Sequence, residues 1–260
     1  MIEVFTMGAP SPRKVTIMLE EVGLPYTWHW VNAYAGAHKQ PEFLAKNPNG
    51  RLPAIIDHDA DGGPLLLWES AAILIYLAEK TGRFLPPSGA ARYEVLKWAT
   101  FQATHAPYLG NAHWYRLFAP QPHQYSIDRF VHESGRIYGV LDEQLATNPY
   151  IAGEDYTIAD ISFFPWIEYH DWQGQSLANF PHVAGWFARV GKRPAVERGR
   201  NVPYPYTECG DSDASRQAKA QTAARLTDPQ WAPSRQPWID HPSRNASIAA
   251  SASGSSSNGT

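Results

Sequence analysis

Residues 51–73 carry the sequence RLPAIIDHDADGGPLLLWESAAI, in which two short apolar runs precede a segment of helical spacing. Leu52–Ile56 and Leu65–Trp68 have the length and composition of strands, and the Asp-Gly-Gly sequence between them predicts a turn. After Glu69 the apolar residues recur at helical spacing until Gly82 ends the pattern. The segment therefore predicts two strands joined by a turn and followed at once by a helix.

The same alternation of strand and helix continues toward the N-terminus. Ile2–Met7 and Tyr26–Val31 predict two further strands, and the apolar spacing from Val15 to Val22 predicts a helix between them. Pro41–Leu44 predicts one more short helix. The first part of the chain is thus predicted to be an α/β domain of order β-α-β-α-β-β-α.

Beyond the Pro-Pro-Ser-Gly linker at 86–89 the pattern becomes helical. The predicted helices are Ala91–Leu109, Tyr125–Leu145, Ile158–Trp172 and Val183–Val190. The composition changes again near Cys209, and the small polar residues from Ser247 onward predict disorder. We therefore predict an α/β domain at residues 1–84, a helical domain at 88–207, and an extension at 208–260 that partly wraps onto the body.

Charge and cysteine content exclude several classes of function. The 260 residues include 22 Lys and Arg against 25 Asp and Glu, a formal net charge of -3 without a basic run, so no nucleic-acid or membrane partner is expected. Cys209 is the only cysteine, which excludes an internal disulfide, and His105, His113 and His123 have no clustered acidic partners, so no metal site is predicted. Because no signal peptide and no apolar run of spanning length are visible, we expect a cytoplasmic protein.

Ser11 lies at the junction of the first predicted strand and helix, in the sequence Ala9-Pro10-Ser11-Pro12-Arg13. The amide groups at a helix N-terminus favour an anion such as a thiolate, and a neighbouring hydroxyl can donate to the same anion. The alternative is that Ser11 only caps the helix.

Three later motifs complete an ordered set. Pro53 heads a predicted strand, and a cis bond before it would direct the backbone groups of Leu52 toward an extended, peptide-like ligand. Glu69 and Ser70 follow the fourth strand, where a carboxylate, a hydroxyl and helix amides can meet the ammonium and carboxylate of an amino acid. Thr157-x-x-Asp160 is a helix-capping signal that supports folding.

The ordered set resembles the cytosolic glutathione transferases, and most the bacterial Nu class. The matching residues run from Ile2 to about Pro194 and include Lys14-Val15, Leu19-Glu20-Glu21, Pro41-Glu42-Phe43, Asn47-Pro48-Asn49, Pro53-Ala54-Ile55, Asp57-His58, Asp61-Gly62-Gly63, Glu69-Ser70, Tyr76–Gly82, Ala119-Pro120-Gln121, Ile127-Asp128-Arg129, Ile158–Ile161 and Arg193-Pro194-Ala195. The resemblance implies a thioredoxin-like N-terminal domain, an all-α C-terminal domain, a homodimer and glutathione as co-substrate.

The resemblance also implies residue roles along the bound glutathione. Ser11 stands where the Nu class has a thiol-facing Asn, and His38, with Lys39 beside it, stands where that class has a Gln that meets the glycyl carboxylate. The other residues implied to bind glutathione are Leu52, whose backbone meets the cysteinyl part, its neighbours Arg51 and Pro53, Glu69 and Ser70 at the γ-glutamyl end, and Arg129 reaching across the dimer.

Two positions depart from the family pattern. The family's Thr or Ser at the end of the first strand is Ala9 here, and the thiol-facing Asn is Ser11. Catalysis is therefore expected to depend on Ser11, backbone amides and Arg13.

The chain has 10 Trp, 13 Tyr and 10 Phe, more rings than a core of this size requires. Trp98, Phe101 and Trp186 are assigned to the core. The segment from Tyr108 to Phe118 mixes rings with polar residues and predicts the wall of a pocket for an aromatic second substrate. The residues expected to bind that substrate are Tyr108, Asn111, Trp114, Tyr115, Trp166 and Tyr169, with Tyr204, Tyr206 and Trp231 closing over them.

The expected function is attack by bound glutathione thiolate on an electrophilic substrate. Three alternatives remain open within the same fold: a glutathione-dependent disulfide reductase, a lyase that cleaves aryl ethers, and a non-catalytic binding scaffold. The loss of a hydroxyl at Ala9 favours the scaffold, whereas Pro53, Glu69, Ser70 and Arg129 favour an enzyme, because a scaffold does not need them to fold.

Overall fold

The structure is a computed structural model that describes residues 1–119 and 121–203. The predicted extension at 208–260, and the three late aromatic residues expected to close the pocket, lie outside the described residues. At the predicted linker between the domains, one helix ends at Thr81 and the next begins at Gly89.

The N-terminal part contains a four-stranded mixed sheet. Its strands are β1 (Ile2–Thr6), β2 (Tyr26–Trp30), β3 (Ala54–Asp57) and β4 (Leu65–Trp68), in the spatial order β2-β1-β3-β4. β1 runs parallel to β2 and antiparallel to β3, and β3 pairs with β4 as a hairpin. The parallel pair requires a crossover, which the first helix supplies.

Three helices and two single turns accompany the sheet. The helices are α1 (Pro10–Val22), α2 (Pro41–Leu44) and α3 (Ser70–Thr81), and short 3-10 turns occupy 33–35 and 37–39. The side chains of α1 and α3 share one buried apolar cluster with β1 and β3, while Phe43 of α2 packs against Ala54 from a second, smaller cluster. The predicted order of elements is therefore correct, and Gly23 ends α1 in the left-handed conformation.

The second part is all helical within the described residues. Its helices are α4 (Gly89–His113), α5 (Gln124–Leu145), α6 (Ile158–Ile167), α7 (Pro181–Gly191) and α8 (Pro194–Arg200), and a wide helical turn at 114–118 continues α4. Residues of these helices belong to the same buried cluster as α1 and α3, so the two parts share one apolar core. Trp98 and Trp186 are buried in it as predicted, and Phe101 packs against it half-buried.

The ends of two helices differ most from the predictions, and one helix was not predicted at all. α4 continues through Pro107 to His113, because a proline late in a long helix removes only one backbone bond. α6 ends at Ile167, not Trp172, and irregular turns follow. α8 was not predicted, because its sequence PAVERGR has no apolar periodicity; it is held by α1, where Gly199 lies against the backbone of Ile17.

The capping signal before α6 forms as predicted. The Thr157 hydroxyl accepts from the Ala159 amide at 3.2 Å, and the Asp160 carboxylate accepts from the Thr157 amide at 2.9 Å. Asp160 also accepts from the Ile151 amide at 3.0 Å and from Trp186 Nε1 at 2.8 Å. These bonds satisfy a fully buried carboxylate and fix the start of α6.

Across the described ranges no helix is both long enough and apolar enough to cross a bilayer. The same ranges contain no group of His, Cys, Asp and Glu arranged to hold a metal ion.

Candidate active site

The N-terminus of α1 faces one end of the sheet without a side-chain cap. Ala9 is the N-cap residue, Pro10 is the first helical residue, and no side chain within the described ranges caps the helix. The alternative that Ser11 is the N-cap is therefore wrong, because Pro10, with its fixed φ, is already the first helical residue. Ser11 lies half-buried in the first turn, where its hydroxyl stands beside uncapped amide groups.

The backbone at Leu52 lies just beyond the paired end of β3. The strand ladder begins at Ala54, which pairs with Phe5 on one side and Trp68 on the other. The Leu52–Pro53 bond is cis, as the sequence suggested. Leu52 is half-buried and outside the ladder, so it can extend the sheet edge toward a ligand strand.

Asn47 holds the loop that precedes Leu52. Its side chain is 1% exposed, donates to the Arg51 carbonyl at 2.8 Å and accepts from the Asn49 amide at 3.0 Å. These two bonds hold residues 47–51 in a fixed loop and set the direction in which the chain enters β3.

Glu69 and Ser70 begin α3 in an unusual backbone conformation. Glu69 is the N-cap residue with φ 71° and ψ 111°, and its side chain is exposed. A non-glycine residue at positive φ costs about 1–3 kcal/mol and persists only where its surroundings impose it. Ser70 is 8% exposed and opens the helix, so a carboxylate, a hydroxyl and helix amides converge at this point as predicted.

Lys14 lies behind Ser70 and is a residue whose part in the site the sequence analysis missed. Its side chain is 2% exposed, and its Nζ donates to Ser70 Oγ at 3.3 Å and to Gln102 Oε1 at 2.5 Å. Burial lowers the pKa of Lys14 to about 7, and the charge of Glu69 acts in the opposite direction. A lysine directly before the apolar run of the predicted first helix was the signal that could have revealed it.

A cluster of three basic side chains lies on the other side of the Leu52 loop. His38 is half-buried between Lys39 and Arg51, and its pKa is lowered to about 4 by burial and by the charges of these two neighbours. The pKa of Lys39 is also lowered, by burial and by Arg51. His38 Nδ1 is buried and has no partner among the described residues. Because His38 is uncharged at neutral pH, Lys39 and Arg51 carry the positive charge of the cluster, and an anion at this point would relieve their repulsion.

Gly50 permits this cluster to form. Its φ is 57°, and a Cβ built on it would lie 2.8 Å from Lys39 Nζ and 2.9 Å from the His38 carbonyl oxygen. The absent side chain therefore lets the basic residues approach the loop.

Arg13 points into the helical part of the molecule. Its side chain is 2% exposed, and its Nη1 donates to the Tyr169 hydroxyl at 2.8 Å. Glu168, which is buried beside it, has a pKa raised to about 7 by burial, against the charges of Arg13 and Arg200. This placement favours a positioning part for Arg13 over direct contact with a thiolate.

The residues predicted to bind the second substrate fall into two ring clusters. Around His113 lie Trp166 and Tyr169, with ring centroids at 6.1 and 5.6 Å. Tyr108 and Tyr115 instead contact Phe130 of α5, at 6.4 and 5.4 Å. The bond between Arg13 and Tyr169 brings the first cluster, and not the second, to the N-terminal turn of α1.

The remaining predicted residues lie on the helical part. Asn111 and Trp114 are half-buried at the end of α4, and Arg129 is exposed on α5. His113 lies within the predicted pocket wall from Tyr108 to Phe118 but is not among the six residues expected to bind the substrate. Its Nε2 is buried without a partner among the described residues, and burial lowers its pKa to about 3.

A mixed sheet of order β2-β1-β3-β4, with a cis-proline edge between a helix N-terminus and a basic cluster, defines a thioredoxin-like ligand-binding domain joined to a helical domain. The chain belongs to the glutathione S-transferase family. Residues 9–80 match the family model of the glutathione S-transferase N-terminal domain, and residues 100–194 match that of the C-terminal domain.

Proteins of similar sequence and structure support this family assignment. The disulfide-bond oxidoreductase YfcG of Escherichia coli is 42% identical over 199 residues, 75% of this chain and 93% of that protein. A glutathione transferase family member from Pseudomonas fluorescens, solved with two glutathione bound, is 42% identical with a TM-score of 0.74, over 78% of this chain and 93% of that one. A glutathione transferase from Pseudomonas putida, solved with one glutathione disulfide bound per subunit, is 37% identical with a TM-score of 0.74, over 78% and 91% of the two chains.

The predicted fold class, an α/β thioredoxin-like domain followed by an all-α domain, is therefore confirmed. The prediction of a glutathione-dependent transferase with glutathione as co-substrate is also confirmed at the level of the family.

Proposed function

We propose that glutathione lies along the Leu52 edge of the sheet, with its γ-glutamyl end at the start of α3. The observation that carries the proposal is the juxtaposition of the exposed Glu69 carboxylate and Ser70 at a helix N-terminus. The carboxylate complements the α-ammonium of the γ-glutamyl group, and the hydroxyl and helix amides complement its α-carboxylate.

The other end of the tripeptide meets the basic cluster. The charges of Lys39 and Arg51 repel each other in the free protein, and the glycyl carboxylate neutralises that repulsion beside a neutral His38. An extended backbone between the two ends pairs with Leu52, beyond the end of the β3 ladder.

The thiol is stabilised as thiolate at the first turn of α1. A reference thiol pKa of about 8.5 leaves only a few per cent thiolate at pH 7, and each unit of lowering corresponds to about 1.4 kcal/mol. The Ser11 hydroxyl and the uncapped amides of the first turn are the donors, and Arg13 holds the helix in place through Tyr169.

The reaction that we favour is thiol–disulfide exchange between ligands. Bound thiolate attacks a substrate disulfide, one substrate thiol leaves, and a second glutathione attacks the mixed disulfide to release the other thiol and glutathione disulfide. Two observations support this reaction: a relative is named a disulfide-bond oxidoreductase, and the sole cysteine, Cys209, leaves the protein without a Cys-x-x-Cys pair. Structures of relatives with two glutathione or glutathione disulfide bound provide the matching precedent.

A second candidate is conjugation to, or ether cleavage of, an aromatic substrate. The ring cluster of His113, Trp166 and Tyr169 favours it, because it lies next to the thiolate site through the Arg13–Tyr169 bond. Trp166 Nε1 is buried without a partner among the described residues, so this wall also offers a donor to a phenolic or nitro oxygen.

One set of assays separates these functions. The purified protein is mixed with glutathione and, in parallel, with bis(2-hydroxyethyl) disulfide, 1-chloro-2,4-dinitrobenzene and a β-aryl ether. Turnover of the disulfide well above the other two substrates supports exchange, and the reverse order supports the second candidate. Retention on immobilised glutathione without turnover of any substrate would support the non-catalytic binding scaffold.

We also propose a cytoplasmic homodimer of the Nu type. Exposed apolar side chains on β4 and α4, Leu66 and Tyr93, suit burial by a second copy, and the exposed Arg129 on α5 is free to reach a partner's ligand. Light scattering of the purified protein in solution measures the mass of the assembly, and the mass of a monomer would contradict a homodimer.

A further inference from the structure

The proposal concerns Lys14, a buried cation placed behind the helix start that receives the γ-glutamyl group, and it rests on the function proposed above. Three elements meet at its Nζ: Lys14 comes from α1, Ser70 from α3 and Gln102 from α4. The side chains of Lys14, Ser70 and Gln102 are 2%, 8% and 1% exposed. All three side chains are therefore buried, and Ser70 is the one that lies at the ligand-binding edge.

The donor and acceptor inventory fixes the direction of the Ser70 hydroxyl. When Lys14 is protonated, its ammonium has three donors and no acceptor, so Ser70 Oγ accepts from it. The single proton of the hydroxyl is then left to donate to a different acceptor. Because Ser70 opens α3 at the ligand-binding edge, that acceptor is a ligand oxygen in the site.

The charge of Lys14 has no counter-ion within the described part of the chain. Lys14 makes no ion pair there, its neighbour Gln102 is neutral, and Arg13 on the same helix is directed at Tyr169 and Glu168. Glu69 on α3 is the charged group that favours the protonated lysine, but its side chain is exposed. A buried cation without a counter-ion is costly even when it is hydrogen-bonded, and an anion brought to Ser70 lowers that cost.

A buried amide nitrogen also indicates that the region around Ser70 suits an anion. Gln102 Nε2 is buried and has no hydrogen-bond partner among the described residues, although the amide oxygen of the same side chain accepts from Lys14. The region thus holds more donors than acceptors, which is the composition of a site for a carboxylate.

We propose that Lys14 is a positioning and specificity residue that makes the γ-glutamyl α-carboxylate a requirement for binding. It orients the Ser70 hydroxyl as a donor and supplies the positive charge behind it. The protein should therefore discriminate sharply between glutathione and an otherwise identical tripeptide that lacks this carboxylate.

The test measures calorimetric binding of two ligands with blocked thiols: S-methylglutathione and its analogue with γ-aminobutyrate in place of the γ-glutamyl residue. The unaltered protein should prefer S-methylglutathione by about ten- to a hundredfold, the range of a charge-assisted contact. Lys14→Met should lose most of that preference by weakening S-methylglutathione alone. Lys80→Met is the matched control, because Lys80 lies at the far end of α3 and pairs with Asp57 at 2.8 Å.

Equal weakening of both ligands in Lys14→Met would overturn the proposal, since a purely structural lysine affects the tripeptide irrespective of its carboxylate. Failure of the unaltered protein to bind S-methylglutathione at all would instead overturn the proposed function. A preference in the unaltered protein that Lys14→Met leaves intact would also overturn the specificity role while sparing that function.

A measurement on the unaltered protein covers the case in which Lys14→Met does not fold. Near pH 8 a lysine with a pKa of about 7 is mostly neutral, so a carboxylate placed beside it causes proton uptake. Calorimetry in buffers of different ionisation enthalpy should detect uptake with S-methylglutathione that the analogue lacks. Equal uptake with both ligands would contradict the proposal.

Discussion

The guanidinium of Arg13 donates to the phenolic oxygen of Tyr169 at 2.8 Å, so the first turn of α1 is bonded to the chain just after α6. Both side chains are buried, at 2% and 9% exposure. The helix that is expected to hold the thiolate is thus positioned by a residue from the other part of the molecule.

Removing the phenolic oxygen should loosen this contact. Tyr169→Phe takes away an acceptor for a buried charged donor, and we expect a loss of about 1–3 kcal/mol in the free energy of unfolding. Urea unfolding measures it. Tyr125→Phe is the control, because Tyr125 is 76% exposed, and it should leave the unfolding midpoint unchanged.

Ser11 is the residue expected to stabilise the thiolate. Ser11→Ala should lower the rate of disulfide reduction or conjugation by about ten- to a hundredfold, because one donor to the developing anion is lost. Retention on immobilised glutathione should persist, since the carboxylate contacts remain. Ser88→Ala serves as control at another helix start, where no side-chain cap bond forms. An unchanged rate in Ser11→Ala would transfer the role to the backbone amides.

The basic cluster predicts a graded response at His38. His38→Gln, which places the family's residue there, should keep affinity for glutathione within about threefold, whereas His38→Ala should lose about tenfold because a donor is removed. Lys39→Met should also weaken binding, and its effect should shrink as salt is added. Titration calorimetry checks all three variants; equal affinities throughout would place the glycyl carboxylate elsewhere.

Glu168 gives a pH dependence of stability with a definite sign. Burial raises its pKa from 4.5 to about 7, so the folded state favours the protonated acid and loses stability as pH rises through that interval. Relative to the unaltered protein, Glu168→Gln should therefore gain stability from pH 4.5 to 7, by up to about 3 kcal/mol. Urea unfolding at both pH values measures the difference. The exposed Glu143→Gln should show no such gain.

Gly199 tests the contact between α8 and α1. A Cβ at this residue would lie 2.4 Å from the Ile17 Cα, a backbone atom that cannot rotate away. Gly199→Ala should consequently lower the melting temperature by several degrees, as expected for overpacking of about 1–3 kcal/mol. Gly185→Ala, in open space on α7, should be neutral or slightly stabilising. Similar melting temperatures for both variants would mean that α8 can move away from α1 without loss of stability.

The elements that sequence analysis predicted correctly are those whose signal is local. The hairpin of β3 and β4, the helix start at Ser70 and the capping box at Thr157 depend on neighbours within a few residues. α8 has no such signal. Gly199 and Arg198 are explained by their contacts with Ile17 and Glu20 of α1, whereas Arg200 pairs with Glu168 after α6.

The site shows the same division. Glu69 and Ser70 are adjacent in the chain, and their juxtaposition follows from one strand-to-helix junction. Lys14 meets Ser70 across 56 positions and Gln102 across 88, and nothing in the spacing of the sequence states that a buried lysine will end between them. The separation of the predicted rings into two clusters likewise depends on how α4, α5 and α6 pack.

The hydrogen bond from Lys14 to Gln102 links the ligand subsite to the attachment of the helical part. Gln102 belongs to α4 and Ser70 to α3. Separating these helices would therefore remove one acceptor from Lys14, the cation proposed to orient the Ser70 hydroxyl toward the ligand. Ligand affinity and cohesion of the two parts then form one thermodynamic cycle. A ligand that binds at Ser70 should therefore also stabilise the contact between the sheet domain and the helical domain.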